Sequence, residues 1–345
     1  MQTLTKPPKL SKGDSVGVFT PSFPAHVAFR EKYVHGLKEL ERLGFKVVEG
    51  SVTQSQCSEG YRTAPAAERA RELMELFANP QIKAVISTIG GNNSASLIDH
   101  LDFDLIGANA KIFCGYSDLT SLHMAINKYA GLSTFYGPAV MPSFGEFPHI
   151  PEYSRDSFLR AVGVLPMLNG ALEMPVEWSN HIRDIPTGAW KNEARQLQKQ
   201  PGWIVTQPGV AEGPLLIANL NTLLSLAGTA HFPDLSGKII VLEEMEASMS
   251  AQERRWTQLR QMGALSGVKA LLVGKPEVLK TEGAPFSYAE LIEDVLQGLD
   301  FPRVHGFDCG HTVPMLTLAQ GTRARVEASA GAPARIQILE PMVRG

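Results

Sequence analysis

The chain has 345 residues, of which 44% are apolar and 19% charged, and its formal net charge is -3. The length favours two domains, and the apolar content excludes a mainly disordered chain, because disordered chains lack the apolar surface to form a core. The 32 basic residues are balanced by 35 acidic ones and form no basic run, so we expect neither a nucleic acid polymer nor a membrane as partner. The expected partner is a small molecule or a peptide.

The N-terminus and the cysteines indicate where the protein works. Residues 1–10 lack the apolar run of a signal peptide, and the longest apolar stretches have only the length of a strand. The three cysteines, Cys57, Cys114 and Cys309, form no Cys-x-x-Cys pair, and an odd count in a large chain is typical of reduced thiols. We therefore expect a cytoplasmic protein.

Short apolar runs alternate with helical patterns through the first half of the chain. Strands are predicted at residues 15–20, 45–49, 83–88, 111–115 and 133–136, and helices at residues 25–43, 65–77 and 118–129. Continuous apolar strands between helices are typical of a parallel sheet that is covered on both faces. The sequence therefore predicts an α/β lobe over residues 1–169.

A connector follows at residues 170–212, which hold three of the four tryptophans and show weak periodicity. Such long irregular segments usually serve as lids or interdomain connections. Beyond it, strands are predicted at residues 238–242 and 270–273, and helices at residues 219–227, 251–262 and 288–299. Residues 317–339 predict a β-hairpin around residues 330–331, so residues 213–345 form a second α/β lobe.

The motif Gly115-Tyr116-Ser117-Asp118 lies where a predicted strand meets a helix. A serine in such a turn presents its hydroxyl at the carboxyl edge of the sheet, and the N–H of Asp118 is free to bind an oxyanion. The usual nucleophile elbow is G-x-S-x-G, whereas position 119 is Leu. A plain helix cap is the alternative interpretation.

A second loop between a strand and a helix contains Gly90-Gly91-Asn92-Asn93-Ser94. Adjacent glycines let the backbone approach an anion closely. The spacing matches neither a dinucleotide fingerprint nor a P-loop. The loop is therefore either a second oxyanion donor or a tight turn before a capped helix.

Two further groups of ionisable residues follow strands of the second half. Glu243 and Glu244 come directly after the strand at 238–242, where parallel sheets place their ligands, but the residues alone favour two solvated loop carboxylates. Alternation sends the two side chains to opposite faces, so at most one enters a given site. Residues 305–312 contain two His, one Asp and Cys309, but their spacing matches no zinc site, so no metal is expected. His311, between Gly310 and Thr312, suits a loop histidine that reaches across a cleft.

The order Ser117, Glu243, His311 is the Ser…Asp/Glu…His order of α/β-hydrolases. Acyl transfer needs a hydroxyl nucleophile, a base that takes its proton and an acid that orients the base. Spacing alone does not show that the three residues meet.

At these residues the chain resembles the serine peptidase family of murein tetrapeptide LD-carboxypeptidase and the microcin C immunity carboxypeptidase. The resemblance covers nearly the whole chain. It includes residues 13–18, the Gly90–Ser94 loop, the Ser117 motif, residues 136–138, 213–216, 219–221 and 242–244, and Gly310-His311-Thr312. The order of these pieces is specific, although each piece alone is not.

The resemblance implies an N-terminal α/β lobe with a parallel sheet, a C-terminal lobe with a mixed sheet and a metal-free enzyme without a cofactor, commonly a homodimer. It implies Ser117 as nucleophile, Glu243 as orienting acid, His311 as general base and backbone N–H groups of Gly91 and Asp118 as the oxyanion hole. It also places Gly90, Asn92, Tyr116 and Asn219 at the substrate.

Within the family, the Gly-Gly-Asn-Asn-Ser loop and the tryptophan-rich connector resemble the immunity branch. That branch cleaves the amide between an acidic amino acid and a modified nucleotide in peptidyl- or aminoacyl-nucleotide conjugates. Trp178 or Trp190 is a candidate for stacking on the nucleobase, and packing between lobes or protomers is the alternative. A murein tetrapeptide LD-carboxypeptidase and a non-catalytic two-lobed ligand-binding module remain as alternative functions.

Overall fold

The computed structural model describes residues 3–167, 170 and 172–345. Its strands are β1 (Ser15–Phe19), β2 (Lys46–Glu49), β3 (Ile82–Ser87), β4 (Ile112–Gly115), β5 (Phe135–Tyr136), β6 (Glu177–Trp178), β7 (Gln198–Lys199), β8 (Ile204–Gln207), β9 (Gly209–Asn219), β10 (Ile239–Glu243), β11 (Glu246–Ser248), β12 (Ala270–Gly274), β13 (Val278–Lys280), β14 (Arg303–Phe307), β15 (Leu318–Ala319), β16 (Arg323–Ala328) and β17 (Arg335–Ile338).

The α-helices are α1 (Ala25–Ala28), α2 (Arg30–Arg42), α3 (Ser51–Gln54), α4 (Ala66–Ala78), α5 (Phe103–Ala108), α6 (Thr120–Ala125), α7 (Glu152–Ala161), α8 (Ala189–Asn192), α9 (Leu220–Ser225), α10 (Met249–Gln261) and α11 (Tyr288–Val295). Short 3-10 helices span Ser94–His100 and Ser117–Leu119, and π-helical turns span Ile126–Ala130 and Val140–Phe144. Among the described residues, no helix is both long enough and apolar enough to span a membrane.

The first sheet belongs to the N-terminal lobe and has the order β15-β5-β4-β3-β1-β2. Strands β1 to β5 pair in parallel, and β15 pairs antiparallel with β5. Strands β3 and β4 are buried almost throughout, as expected for a sheet with helices on both faces. Helix α4 buries Ala70, Leu73 and Phe77, which lie three to seven residues apart on one helical face.

The second sheet has the order β17-β16-β9-β10-β12-β14-β8. Its four central strands, β9, β10, β12 and β14, are parallel, and β8, β16 and β17 run antiparallel to their neighbours. The predicted hairpin is present as β16 and β17. The fold class, an α/β chain with a parallel-sheet lobe and a mixed-sheet lobe, is confirmed.

Some elements differ from the sequence pattern. The helix predicted at residues 25–43 is interrupted at Phe29, where φ is −129°. Strand β8 and the start of β9 fall inside residues 170–212, the predicted connector, and β15 carries the C-terminal part of the chain back to the first sheet. These short strands pair with distant parts of the chain, so the local sequence pattern does not predict them.

The site lies where the carboxyl ends of both sheets meet. Strands β3, β4 and β5 of the first sheet end beside one another, and β9, β10, β12 and β14 of the second sheet end opposite them. The residues that follow these strands therefore come together, although they are far apart along the chain. Open α/β sheets bind their ligands at this edge.

Candidate active site

A cleft of about 850 Å³ opens between the two sheet edges. This volume suits a ligand of a few tens of atoms. Of the site residues predicted from the sequence, those that line the cleft are Gly90, Gly91, Asn92, Tyr116, Ser117, Asn219 and His311. Glu243 lies behind His311, and the carboxylate of Asp118 is buried beneath the glycine loop.

Ser117 lies two residues after the end of β4 and adopts a left-handed backbone conformation with φ of 65°. Such a conformation costs a non-glycine residue of order 1–3 kcal/mol and persists only where the surroundings impose it. The backbone N–H of Ser117 donates to the hydroxyl of Tyr136, 3.0 Å away on the neighbouring strand β5. The turn is therefore a sharp strand-to-helix elbow, despite Leu119 at the position that usually holds glycine.

His311 and Glu243 form a close hydrogen-bonded pair across neighbouring loops of the second sheet. The Nδ1 atom of His311 lies 2.6 Å from Oε2 of Glu243. Since an ionised carboxylate only accepts hydrogen bonds, Nδ1 carries the proton and Nε2 is left as a proton acceptor on a side chain that lines the cleft. Gly310 allows this contact, because its φ is 110° and an added Cβ would lie 2.2 Å from Glu243 Oε2.

Two further side chains fix the other oxygen of Glu243. The Tyr136 hydroxyl donates to Oε1 over 2.6 Å, and the side-chain amide of Asn219 donates to the same atom over 3.1 Å. The backbone N–H of Asn219 in turn donates to the hydroxyl of Thr120 in the other lobe. Tyr136 therefore connects the Glu243 carboxylate to the backbone of Ser117.

Gly90 and Gly91 leave room beside the Ser117 hydroxyl. A Cβ at Gly90 would lie 3.1 Å from Ser117 Oγ and 3.2 Å from the backbone nitrogen of Asp118. Gly91 has a φ of 150°, and a Cβ there would collide with Ser22. Within the described part of the chain, the N–H groups of Gly91 and Asp118 donate to no acceptor. Two backbone N–H groups near the Ser117 turn are thus without an acceptor.

The side chain of Asp118 holds the glycine loop in place. Its Oδ2 atom accepts from the backbone N–H groups of Asn93, at 3.0 Å, and Ser94, at 2.9 Å. The hydroxyl of Ser22 accepts from the N–H groups of Asn92 and Asn93. The Asp118 carboxylate therefore caps the helix that follows the loop, and the backbone nitrogen of the same residue lies beside Gly90.

The electrostatic surroundings of His311 favour its protonated form. Burial lowers the pKa of His311, but the Glu243 carboxylate, its hydrogen bond, and then Glu277 and Glu244 raise it above the ordinary 6.5. Burial also raises the pKa of Glu244 to about 7, against the effect of the Arg255 guanidinium. The interpretation of Glu243 and Glu244 as solvated loop residues is wrong, because their exposed fractions are only 1% and 4%.

Ser117 and His311 line the same cleft without a direct hydrogen bond between their side chains among the described residues. Catalytic hydrogen bonds are often long in the free enzyme and shorten when substrate binds. The arrangement supplies a hydroxyl, an oriented imidazole and two free backbone donors in one concave space. Such a set of groups suits acyl transfer.

The two connector tryptophans proposed for nucleobase stacking do not line the cleft. Trp190 is buried against His35 and Phe147, with ring centroids 5.8 and 6.1 Å away. Trp178 lies on β6, and its ring is 5.2 Å from the ammonium nitrogen of Lys275. This geometry favours packing, the alternative interpretation, because large aromatic rings gain most from burial in apolar surroundings.

The cysteines and the histidine-rich segment supply no metal site. Over residues 3–167, 170 and 172–345, no group of three or more His, Cys, Asp and Glu side chains is placed to hold a metal ion. Cys309 is fully buried, and burial raises the pKa of its thiol well above the ordinary value. A thiol that stays protonated is a poor nucleophile.

Sequence reasoning assigned no role to several residues that the structure brings to the site. Tyr136 was part of a matching motif, and its position at the end of a strand beside β4 is the signal that identifies it. The others carry charge into the cleft from two helices and from loops, where charged residues usually face solvent. They are Lys32, Glu146, Arg183, Arg195, Arg255 and Glu277.

Comparisons with known proteins agree with this geometry. The model of the LD-carboxypeptidase N-terminal domain matches residues 16–137, and that of the LD-carboxypeptidase C-terminal domain matches residues 212–326. The microcin C7 self-immunity protein MccF of Escherichia coli is 36% identical over 323 residues, which cover 92% of each chain. A probable murein peptide carboxypeptidase of Bacillus subtilis is 29% identical over 327 residues, 94% of this chain and 92% of that one.

The solved structures extend the similarity to three dimensions. A structure of MccF with aspartyl sulfamoyl adenosine superposes with a TM-score of 0.90 at 34% identity, covering 98% of this chain and 99% of that one. Together the two family models match more than half of the chain. The chain therefore belongs to the LD-carboxypeptidase family and is a serine-type carboxypeptidase.

Proposed function

We propose that this enzyme hydrolyses the amide bond between an acidic amino acid and a modified nucleotide in aminoacyl- or peptidyl-nucleotide conjugates. Ser117 is the nucleophile, His311 the general base and Glu243 the orienting acid. The observation that carries the proposal is the 2.6 Å contact between His311 Nδ1 and Glu243 Oε2, which turns Nε2 into the proton acceptor of a cleft that also holds Ser117.

The reaction proceeds in two steps that the cleft residues share. Ser117 Oγ attacks the substrate carbonyl while His311 Nε2 takes the hydroxyl proton, and the N–H groups of Gly91 and Asp118 bind the oxyanion. The C–N bond then breaks, and His311 returns the proton to the leaving nitrogen. A water molecule, deprotonated by His311, hydrolyses the acyl-enzyme, so that the amino acid leaves and Ser117 is restored.

The nucleotide part of the proposal is supported by the relatives and by the cleft itself. MccF has been solved with aspartyl sulfamoyl adenosine and with glutamyl sulfamoyl guanosine. In the present chain, Tyr61 is 68% exposed and lines the cleft together with Phe23. These rings, rather than Trp178 and Trp190, offer flat faces on which a nucleobase can stack.

A murein tetrapeptide is the second candidate substrate. The family description and the Bacillus subtilis relative both favour it, since they name LD-carboxypeptidase and murein peptide. The same triad would release the terminal D-alanine, so the two functions differ only in the pocket. Homodimer formation and a cytoplasmic location stay predictions.

Mass spectrometry of two incubations separates these functions. Wild type, Ser117→Ala and the exposed-serine control Ser329→Ala are each incubated with aspartyl-sulfamoyl-adenosine and with a murein tetrapeptide. We expect wild type and the control to release aspartate from the nucleoside, and Ser117→Ala to release none. Loss of only D-alanine would replace the proposal by the murein function, and product formation by Ser117→Ala would remove Ser117 as nucleophile.

A further inference from the structure

The cleft carries a set of charged side chains that the hydrolytic mechanism does not use. Lys32 reaches it from α2, Glu146 from the loop before α7, and Glu277 from the loop after β12. Arg183 and Arg195 reach it from the segment between β6 and β7. What these groups bind is determined by which of them already have partners.

Glu146 and the two arginines satisfy one another. Arg195 Nη2 lies 2.8 Å from Glu146 Oε2, and Arg183 pairs with the other oxygen of the same carboxylate. Each arginine also donates to a backbone carbonyl, Arg195 to His181 and Arg183 to Glu193. One carboxylate thus faces two guanidinium groups, and this part of the cleft keeps an excess of positive charge.

Lys32 adds to this excess and has no acceptor of its own. Only 7% of its surface is exposed, and no carboxylate or carbonyl among the described residues accepts from its ammonium group. Burial, then the nearby Arg195 and Arg183, lower its pKa to about 8. The ring of Trp190, 5.8 Å from Nζ, gives only weak compensation. A buried charge without a partner is costly, so an anion from a ligand would relieve it.

Glu277 presents the opposite charge from the other lobe. It follows β12, the parallel neighbour of the strand that ends at Glu243, and so lies beside His311 at the same sheet edge. No hydrogen-bond donor or cation within the described ranges pairs with its carboxylate. Burial raises its pKa, while His311, Arg195 and Lys32 oppose this rise. Lys32 and Glu277 line one cleft without reaching each other.

We propose that Glu277 and Lys32 together bind the acyl residue of the substrate, that is, the amino acid whose carbonyl Ser117 attacks, when this residue carries both a positive and a negative charge. Glu277 binds the ammonium group of that residue, and Lys32 binds an anionic group on the same residue. The inference rests on the proposed function and narrows its substrate class to conjugates whose acyl residue has a free amino group and an acidic side chain. Conjugates with a blocked amino group leave the half-buried carboxylate of Glu277 without a partner, so they bind more weakly.

Titration calorimetry on Ser117→Ala, which does not turn its ligand over, tests this assignment. Three ligands differ by one group each: aspartyl-sulfamoyl-adenosine, its N-acetyl derivative and asparaginyl-sulfamoyl-adenosine. We expect the first to bind at least about tenfold more tightly than either of the others, since each loses one charge-assisted hydrogen bond. This comparison needs no further variant, so it does not depend on whether a charge substitution folds.

Two variants in the Ser117→Ala background assign the two groups. Glu277→Gln abolishes the preference for the free amino group and keeps the preference for aspartyl over asparaginyl. Lys32→Met does the reverse. The exposed residues Lys38 on α2 and Glu253 on α10 provide matched controls, Lys38→Met and Glu253→Gln, which keep both preferences.

The outcome also separates this inference from the proposed function. Equal affinity for the three ligands, binding of none, or preferences that neither variant changes would overturn the roles of Lys32 and Glu277. Hydrolysis by the enzyme with Ser117 intact is measured separately. Selective binding without hydrolysis supports the roles of Lys32 and Glu277 and excludes the proposed reaction. Hydrolysis of all three ligands at equal kcat/KM supports the proposed reaction and excludes those roles.

Discussion

The first sheet reaches the cleft mainly through its backbone, whereas the second sheet reaches it through ionisable side chains. In the N-terminal lobe, the left-handed turn at Ser117 and the adjacent Gly90 and Gly91 create room and free N–H groups. In the C-terminal lobe, His311 and Glu243 are held by burial and hydrogen bonds. The edge of the first sheet therefore sets the geometry around the Ser117 hydroxyl, and the edge of the second sheet sets the protonation state of His311. Substitutions at the first edge should therefore change the size of kcat, and substitutions at the second edge should change its dependence on pH.

The largest effect is expected from removing one reacting group on each edge. Ser117→Ala and His311→Ala should each lower kcat/KM by roughly four to six orders of magnitude, as in other triads. Ser117→Ala should leave the midpoint of thermal unfolding nearly unchanged, whereas His311→Ala should lower it, because the buried Glu243 carboxylate then loses the partner of its Oε2 atom. Because triad residues act as a unit, the double variant should be no slower than the worse single variant.

Steady-state kinetics of the two single variants and the double variant check this expectation. If the losses of Ser117→Ala and His311→Ala were nearly additive in the double variant, the two residues would act independently. They would then not form one catalytic unit. Retained activity in either single variant would exclude that residue from the mechanism. The exposed-serine variant Ser329→Ala serves as the control for protein quality.

A smaller effect is expected from Gly90→Ala on the first edge. The new Cβ would lie 3.0–3.2 Å from Ser117 and the Asp118 nitrogen, in the space that the oxyanion needs. Loss of one oxyanion donor costs roughly 10²- to 10³-fold in kcat. If this edge sets only geometry, the pH at which activity is half-maximal stays where wild type has it. A shifted pH profile in Gly90→Ala would show that the first edge also affects the protonation of His311.

Tyr136 belongs to both edges, since it lies on β5 and donates to Glu243 of the second sheet. Tyr136→Phe removes a charge-assisted hydrogen bond from Glu243 and the acceptor for the N–H of Ser117. A hydrogen bond to a charged group contributes about 1.5–3 kcal/mol, which corresponds to roughly 10- to 100-fold in rate if it is lost in the transition state. Steady-state kinetics across pH should show both a lower plateau and a shifted acid limb.

An unshifted acid limb in Tyr136→Phe would mean that Asn219 alone fixes the charge of Glu243. The matched control is Tyr129→Phe, at an exposed tyrosine in the π-helical turn Ile126–Ala130. Its hydroxyl contacts only His231 and the carbonyl of Ala230, so the rate should be unaffected.

The sequence predicted the family, the fold class and the strand ends at which Ser117, Glu243 and His311 lie. These features follow from local patterns, namely apolar runs and the residues directly after them. Lys32 could not be predicted, because a lysine on an amphipathic helix usually faces solvent, and here it is buried beside Trp190 and Arg195, which lie more than 150 residues away along the chain. The tryptophans of the connector could not be placed either, since their partners His35 and Lys275 are more than 90 residues away along the chain.

The smallest effect is expected from Glu244→Gln, which tests the electrostatics of the second edge alone. Glu244 is a buried carboxylate whose charge raises the pKa of His311, and burial brings its own pKa to about 7. His311 must be neutral to act as a base, so activity falls as pH drops through its raised pKa. Removing the negative charge at Glu244 lowers the pKa of His311 and moves the acid limb of kcat/KM to lower pH, while the alkaline plateau stays near that of wild type.

The pH profile of kcat/KM for Glu244→Gln is compared with that of Glu246→Gln, whose exposed carboxylate pairs with Lys280 instead. A limb that moves in Glu244→Gln and not in Glu246→Gln locates the effect in the buried charge. A limb that stays in place shows that Glu244 does not contribute to the protonation of His311, which Glu243 and Glu277 then set. A limb that moves to higher pH contradicts the sign of the interaction, because the loss of a nearby negative charge lowers the pKa of an imidazole.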